Sequence, residues 1–280
     1  MPLTRRNLLS ASLLSGVGGV SYSFLGDRTL ADARYSSQVE AGLQYFRNLA
    51  QTNLIACQEL LAVLRSNDLE QAKLAYINAR PAYEQIEVHA VSFEQTDKDI
   101  DARPYAFDRG EDDPEFRGFH KIEALIFRDT NLRSAIPFAQ RLIVSSQQLI
   151  QDLQKRGNFS AVKHFDGMIA LANEVGAKKI SSEEETWSDQ SILIFRENWE
   201  GIYSQYRPFA PAVIRINPQL HAMVESAYKS AMATIAPFTI ANQIPTTPYS
   251  QVGIADRAKI VKATNRLRDV LVEVRRALRV

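Results

Sequence analysis

One cysteine, Cys57, stands in a chain of 280 residues. An internal disulfide and a thiolate cluster are both excluded, so a packed core or a bound ion must supply stability. Cys57 lies in a helical pattern beside Leu54, Ile55, Leu60 and Leu61 and reads as a small core residue. An excess of one charge is also missing. The 33 Lys and Arg against 32 Asp and Glu give a net charge of +1, which argues against a broad basic field for nucleic acid. Beyond the N-terminal segment, no run is long and apolar enough to span a bilayer. There is no convincing alternation of apolar and polar residues, hence no strand signal. P-loop and G-x-S-x-G motifs are absent. None of the four histidines, His89, His120, His164 and His221, begins H-E-x-x-H, and none follows a glutamate by three. The usual zinc-protease motif and the E-x-x-H signature of di-iron bundles are thereby excluded.

What is present is helix, with 45% hydrophobic and 23% charged residues, enough for a sizeable core. Residues 1–33 read as an export leader outside the fold. Arg5-Arg6 precedes an apolar run to about Val20, and Ala31-Asp32-Ala33 supplies a cleavage signal, placing the mature start near Arg34. The arginine pair points to the twin-arginine (Tat) route. The run is short and rich in Ser and Gly, which disfavours a permanent membrane helix.

Apolar residues then recur at three and four: Val39, Leu43, Phe46, Leu49, Leu54, Leu60 and Leu64. Ser66-Asn67-Asp68 breaks the pattern and caps a second helix, expected to reach about Phe93 with a kink at Pro81. From Glu94 to Glu115 periodicity stops. Nine acidic residues against three basic ones suggest a long acidic loop. Pro114 suits the first turn of the next helix. Further helices are expected over about Leu132–Lys155, Ala161–Val175, Ile192–Tyr206, Asn217–Asn242 and Ile254–Val280. The last carries eight basic and three acidic residues and reads as a solvated face. The expected fold is all-α, two four-helix bundles packed in one domain, with halves at about 34–157 and 158–280.

Chemistry gathers in the stretch from Pro81 to Glu123. Residues three apart share a helix face, so Glu84 and Glu87 form one pair, and His120 and Glu123 another. If both pairs point inward, the charge is stranded unless a cation lies between them. Hard carboxylate oxygens with one imidazole suit iron, manganese or zinc. Asp101 could close the site from the loop. Each motif alone is common on solvated helices; together, flanking an acidic stretch, they point to a cation site. His89, about 200° round from Glu87, faces away from that pair. His164 and His221 have no ligand pattern nearby and read as structural or exposed.

Several of these runs occur together in one known family. Tyr83-Glu84-Gln85-Ile86-Glu87, Ser92-Phe93, Asp97, Ile100-Asp101-Ala102-Arg103 and Gly118-Phe119-His120-Lys121-Ile122-Glu123 keep its order and spacing. The chain thus resembles the imelysin-like (M75 peptidase) family, in its EfeO-type branch of periplasmic iron-uptake proteins. Weaker similarity continues through the run from Lys179 to Glu185 and through Asn198-Trp199-Glu200-Gly201. The resemblance implies two four-helix bundles and a metal site at H-x-x-E. By position the ligands are Glu84, Glu87, Asp101 and His120, with Glu123 as a further ligand or as the carboxylate that fixes the imidazole tautomer. It also implies a periplasmic protein that captures Fe2+ or Fe3+, with zinc as another possible ion. Its partners would be a membrane iron permease and a haem peroxidase-like component of an EfeUOB-type system. Acidic-polysaccharide binding, known for some relatives, and metal-dependent peptidase activity are the alternatives. No H-E-x-x-H general base accompanies the peptidase label. Two departures stand out. The chain reads as the short form, without a cupredoxin-like domain before the helices. And Ser191, in Asp189-Gln190-Ser191-Ile192-Leu193-Ile194-Phe195, replaces an aspartate that lies near the metal in the family's H-T-D-L-W-D-F run.

Overall fold

The computed structural model describes residues 32–181 and 185–280, so almost all of the expected leader lies outside the described residues. The architecture is all-α, as expected. An isolated bridge between Thr239 and Thr246 is the one β feature among the described residues. None of the described helices is long and apolar enough to cross a membrane.

Helix α1, Ser36–Ser66, ends where Asn67 turns left-handed, and Asp68 then caps α2, Leu69–Ile86, by accepting from Gln71 N at 3.0 Å. That hydrogen bond satisfies one of the amides that a helix start leaves without a partner. Helix α2 runs on through Pro81 to Ile86. A 3-10 segment, Glu87–Ser92, follows, and the backbone leaves helical values at His89. The region expected as an acidic loop folds locally. Glu94–Asp101 is helix α3, with Thr96, Ile100 and Asp101 buried, and short 3-10 turns continue to Asp112. Its charges conceal a brief buried stripe, and Glu94 and Asp97 in its first turn suit the helix dipole. The next helix starts at Phe119, not Pro114. This helix, α4 (Phe119–Glu123), passes directly into a π-turn, Ala124–Arg128.

The remaining helices are α5 (Leu132–Gln154), α6 (Ala161–Ala177), α7 (Ser191–Tyr206), α8 (Ala210–Ile216), α9 (Pro218–Ile235) and α10 (Ile254–Leu278). Side-chain caps at Asn131, Ser160 and Asn217 start α5, α6 and α9. Helix α9 stops at Ile235, short of Asn242, because a 3-10 turn over Ala236–Phe238 follows.

Helix α1 packs on α2 and α5; α10 packs on α6 and α9. The two groups are joined by α2 against α7 and by the Glu87–Ser92 segment against α6. One buried apolar cluster runs through both, from Val39 and Phe46 to Trp199 and Leu271. Cys57 lies within it, fully buried. Gly201 allows the central contact. A Cβ there would lie 2.3 Å from the carbonyl oxygen of Gln85, so only glycine lets α7 lie this close to the carboxylate-bearing end of α2.

Candidate metal centre

Glu84, Glu87, Asp101, His120 and Glu123 are all buried, and they converge from α2, the following turn, α3 and α4. Gly118, at φ +83°, caps α4 beneath the carbonyl of Ile100 and brings His120 under the end of α3. His120 Nε2 lies 3.5 Å from Asp101 Oδ1, and its Nδ1 lies 3.3 Å from Glu123 Oε2.

Two cations built into the protein share this space. Arg80 is 1% exposed and stands one turn before Glu84 on α2. Its guanidinium pairs with Glu84 Oε1 at 2.6 Å, Asp101 Oδ1 at 2.5 Å and Glu185 Oε1 at 2.8 Å, and rests 4.6 Å over the Phe119 ring. Lys179, also 1% exposed, places its Nζ 2.6 Å from Glu87 Oε2 and 3.7 Å from Glu84 Oε2. Asn198 Nδ2 donates to both carboxylates, at 3.1 Å to Glu84 and 3.0 Å to Glu87, and to the Glu84 carbonyl at 2.9 Å. Glu84 and Glu87 are therefore neighbours, as their spacing predicts, but their charge is compensated from within the chain.

A different trio has the donor geometry that could hold an ion, although Glu185 in it also pairs with Arg80. Donor atoms of His120, Glu123 and Glu185 all lie within 4.8 Å of one another, and all three residues are buried. Glu123 Oε1 accepts from the amides of Trp187 at 2.9 Å and Ser188 at 2.8 Å, which fixes the carboxylate and turns Oε2 toward His120. His120 Nε2 is buried and has no hydrogen-bond partner. Tyr76 donates to Glu185 Oε1 at 3.2 Å, and the Ser188 hydroxyl donates to Oε2. Sequence reasoning named Glu185 only as part of a similar run. No helical spacing from His120 could have found it, because it lies 65 positions later, in the connection before α7.

Burial governs the protonation of the trio. It pushes Glu123 up to about 7, against the two backbone amides and Arg80 that favour the carboxylate. It pushes Glu185 up to about 8, helped by the nearby Glu123 charge. It lowers His120 to about 4, although Asp101 pulls the other way, so the imidazole is neutral at neutral pH. Burial also raises Glu84 despite Arg80. For Asp101, burial is outweighed by Arg80, with His120 and Arg103 adding to its effect, and the carboxyl is held below the usual range. A neutral imidazole facing two carboxyls poised near neutrality is a donor set that a cation can claim by releasing protons.

Ser191 opens α7, fully buried, with a hydroxyl that has no hydrogen-bond partner. Asp189 is turned outward to Ser250, accepting from its amide at 2.8 Å. His89 faces away from Glu87, as expected. Its ring lies 4.1 Å from that of His164, and both histidines are buried among Phe46, Phe159 and Phe209.

The imelysin (peptidase M75) family profile matches residues 41–274. The iron uptake system component EfeO of Escherichia coli strain K12 is 31% identical over 218 residues, covering 77% of this chain and 56% of the relative. The protein of the same name from Shigella flexneri matches to the same extent. That of Shigella boydii serotype 4 (strain Sb227) is 32% identical over 197 residues, covering 69% of this chain and 51% of its own length. The chain thus spans about half the length of the curated relatives it matches.

Proposed function

The chain belongs to the imelysin family, and from that premise we propose that it is an exported iron-binding protein that captures an iron ion and delivers it to a membrane permease. The observation that carries this reading is the buried convergence of His120, Glu123 and Glu185. The similarity to a named iron uptake component supports iron as the cargo. The twin-arginine leader supports export to the periplasm, and a permease and a haem peroxidase-like component are the partners that such a system implies.

In this reading His120 and Glu123 bind the ion first: Glu123 is already aimed by two amides, and the ion takes the place of the 3.3 Å contact between His120 Nδ1 and Glu123 Oε2. Glu185 joins by exchanging part of its hold on Arg80 and Tyr76. Asp101, 3.5 Å from His120 Nε2, is the next oxygen within reach. Ferrous and ferric iron both suit an imidazole with carboxylate oxygens.

The test is anaerobic iron titration of the full chain by calorimetry, beside His120→Ala and Glu185→Gln variants shown to be folded. One ion per chain is expected, with affinity lowered at least ~10-fold in each variant, the scale expected when a direct or supporting ligand is removed. A folded parent that takes up no iron, or variants that bind as the parent does, would sink the proposal.

A further inference from the structure

His89 and His164 form a second imidazole pair, which the iron site does not use. They come from different elements, the Glu87–Ser92 segment and α6, and both are buried. Their ring centroids lie 4.1 Å apart, with the planes tilted by 58°. His164 Nδ1 lies 3.1 Å from the carbonyl oxygen of Ser160, which can only accept. The proton is therefore on Nδ1, and Nε2 keeps its lone pair. That Nε2 has no hydrogen-bond partner, and neither ring nitrogen of His89 has one.

A third donor atom completes the group. Gln205, on α7, donates its amide nitrogen to the Gly42 carbonyl at 3.2 Å, and its Oε1 is buried without a partner. A Cβ at Gly42 would lie 2.4 Å from Gln205 Oε1 and 3.2 Å from His164 Nε2. Both lone-pair atoms thus converge on the bare backbone of α1. Buried polar atoms are nearly always satisfied, by protein, by water or by an ion. Here lone pairs are in excess. The neutral His89 ring carries a proton on one nitrogen; its other nitrogen, His164 Nε2 and Gln205 Oε1 carry none. Such a set accepts a Lewis acid and repels an anion.

The surroundings select among cations. Phe46 and Phe159 stand against His89, and Phe209 against His164. No carboxylate bonds to these ring nitrogens. All three donors are neutral, so a doubly charged ion would remain uncompensated in an apolar pocket, at high cost. A singly charged, soft ion costs least there, and imidazole suits copper. Cuprous ion also accepts low coordination numbers, whereas Zn2+ favours a full tetrahedral shell.

We propose that His89, His164 and Gln205 form a buried copper(I) site at the junction of the two helix groups, independent of the iron cluster. A bound ion ties the Glu87–Ser92 segment to α6 and α7 and satisfies the lone pairs that the fold leaves open.

The test titrates the full chain anaerobically with Cu(I) held by bicinchoninate, a competing chelator whose Cu(I) complex is coloured. The parent is expected to withdraw one ion per chain. That ion should persist in His120→Gln and in Cys57→Ala. It should be lost in His89→Phe and in His164→Phe, whose rings suit the same apolar space. If a phenylalanine variant does not fold, the parent still decides the matter. With 15N-labelled histidine and Ag+ as a diamagnetic stand-in for Cu(I), the signals of two rings should shift, and the same two should shift in a His120→Gln/His221→Gln background. No withdrawal of Cu(I), which would leave a bound water as the partner of these atoms, overturns the proposal. So does an ion that survives His89→Phe, an ion that vanishes with His120→Gln or Cys57→Ala, or Ag+ shifts confined to His120 and His221.

Discussion

Arg80 Nε meets Glu185 Oε1 at 2.8 Å with neither side chain open to solvent, tying the middle of α2 to the connection that leads into α7. The same guanidinium holds Glu84 and Asp101. Removing it leaves three buried carboxyls without their shared cation. Breaking a buried pair from one side costs about 3–5 kcal/mol. Arg80→Met, which keeps much of the apolar volume, is therefore expected to lower the unfolding free energy by about that much in urea titrations near pH 7. Part of the loss should return at pH 5, where protonation removes the stranded charge. A variant as stable as the parent at pH 7 would show that Arg80 is not the hub of the cluster.

Iron affinity should depend on pH in a defined direction. Ligation needs both carboxyls ionised and the imidazole neutral. With Glu185 near 8 and Glu123 near 7, protons compete with the ion throughout the neutral range, and below about 4 His120 joins them. Affinity is expected to rise steadily from pH 5 to pH 8 and to flatten above. Calorimetry in buffers of different ionisation enthalpy should detect protons released on binding at pH 6.5. A flat affinity from pH 5 to 8 would mean that Glu123 and Glu185 are not ligands.

The reach of the sequence can be judged at particular residues. Glu84 beside Glu87, and His120 beside Glu123, followed from helical spacing, and the all-α fold followed from apolar periodicity in α1, α5 and α10. Arg80 and Lys179 did not emerge. Arg80 is one turn from Glu84, a spacing common on solvated helix faces; only burial makes it the counter-ion of three carboxylates. Lys179 and Glu185 come from 92 and 65 positions beyond Glu87 and His120 respectively, and periodicity carries no information over such separations. Helix α3 was hidden because its charged residues outnumber the three it buries.

Gly201 tests the helix contact that aligns Asn198 with Glu84. Its missing Cβ leaves room for the Gln85 carbonyl, and backbone cannot swing aside as a side chain can. Gly201→Ala must push α7 away from α2. Such overpacking costs about 1–3 kcal/mol, which should lower the urea midpoint without a large change in slope. Moving α7 also pulls Asn198 from Glu84 and Glu87. Full parental stability would show that the two helices adjust without strain.

His89 and His164 predict a weakness to acid that is separate from the metal cluster. Burial lowers His89 to about 3 and drives His164 well below its usual value; the His89 charge adds to the effect on His164. Both rings are then neutral in the folded chain, while in the unfolded chain they take up protons near pH 6.5. For a base whose folded value is depressed, the unfolded state binds more protons below pH 6.5. The stabilising contribution is therefore complete above pH 6.5 and is lost as the pH falls toward the folded values. Each ring contributes about 1.4 kcal/mol per pH unit within that window. Glu123 and Glu185 act in the opposite sense, since their folded values are raised, but they are present in any variant of the histidines and cancel in a comparison. A His89→Phe/His164→Phe double variant places two more rings among Phe46, Phe159 and Phe209. Between pH 7 and pH 5 the metal-free parent is expected to lose roughly 2–4 kcal/mol more than this variant in urea titrations. Equal losses in the two proteins would mean that the paired histidines are protonated, or open to water, in the folded state.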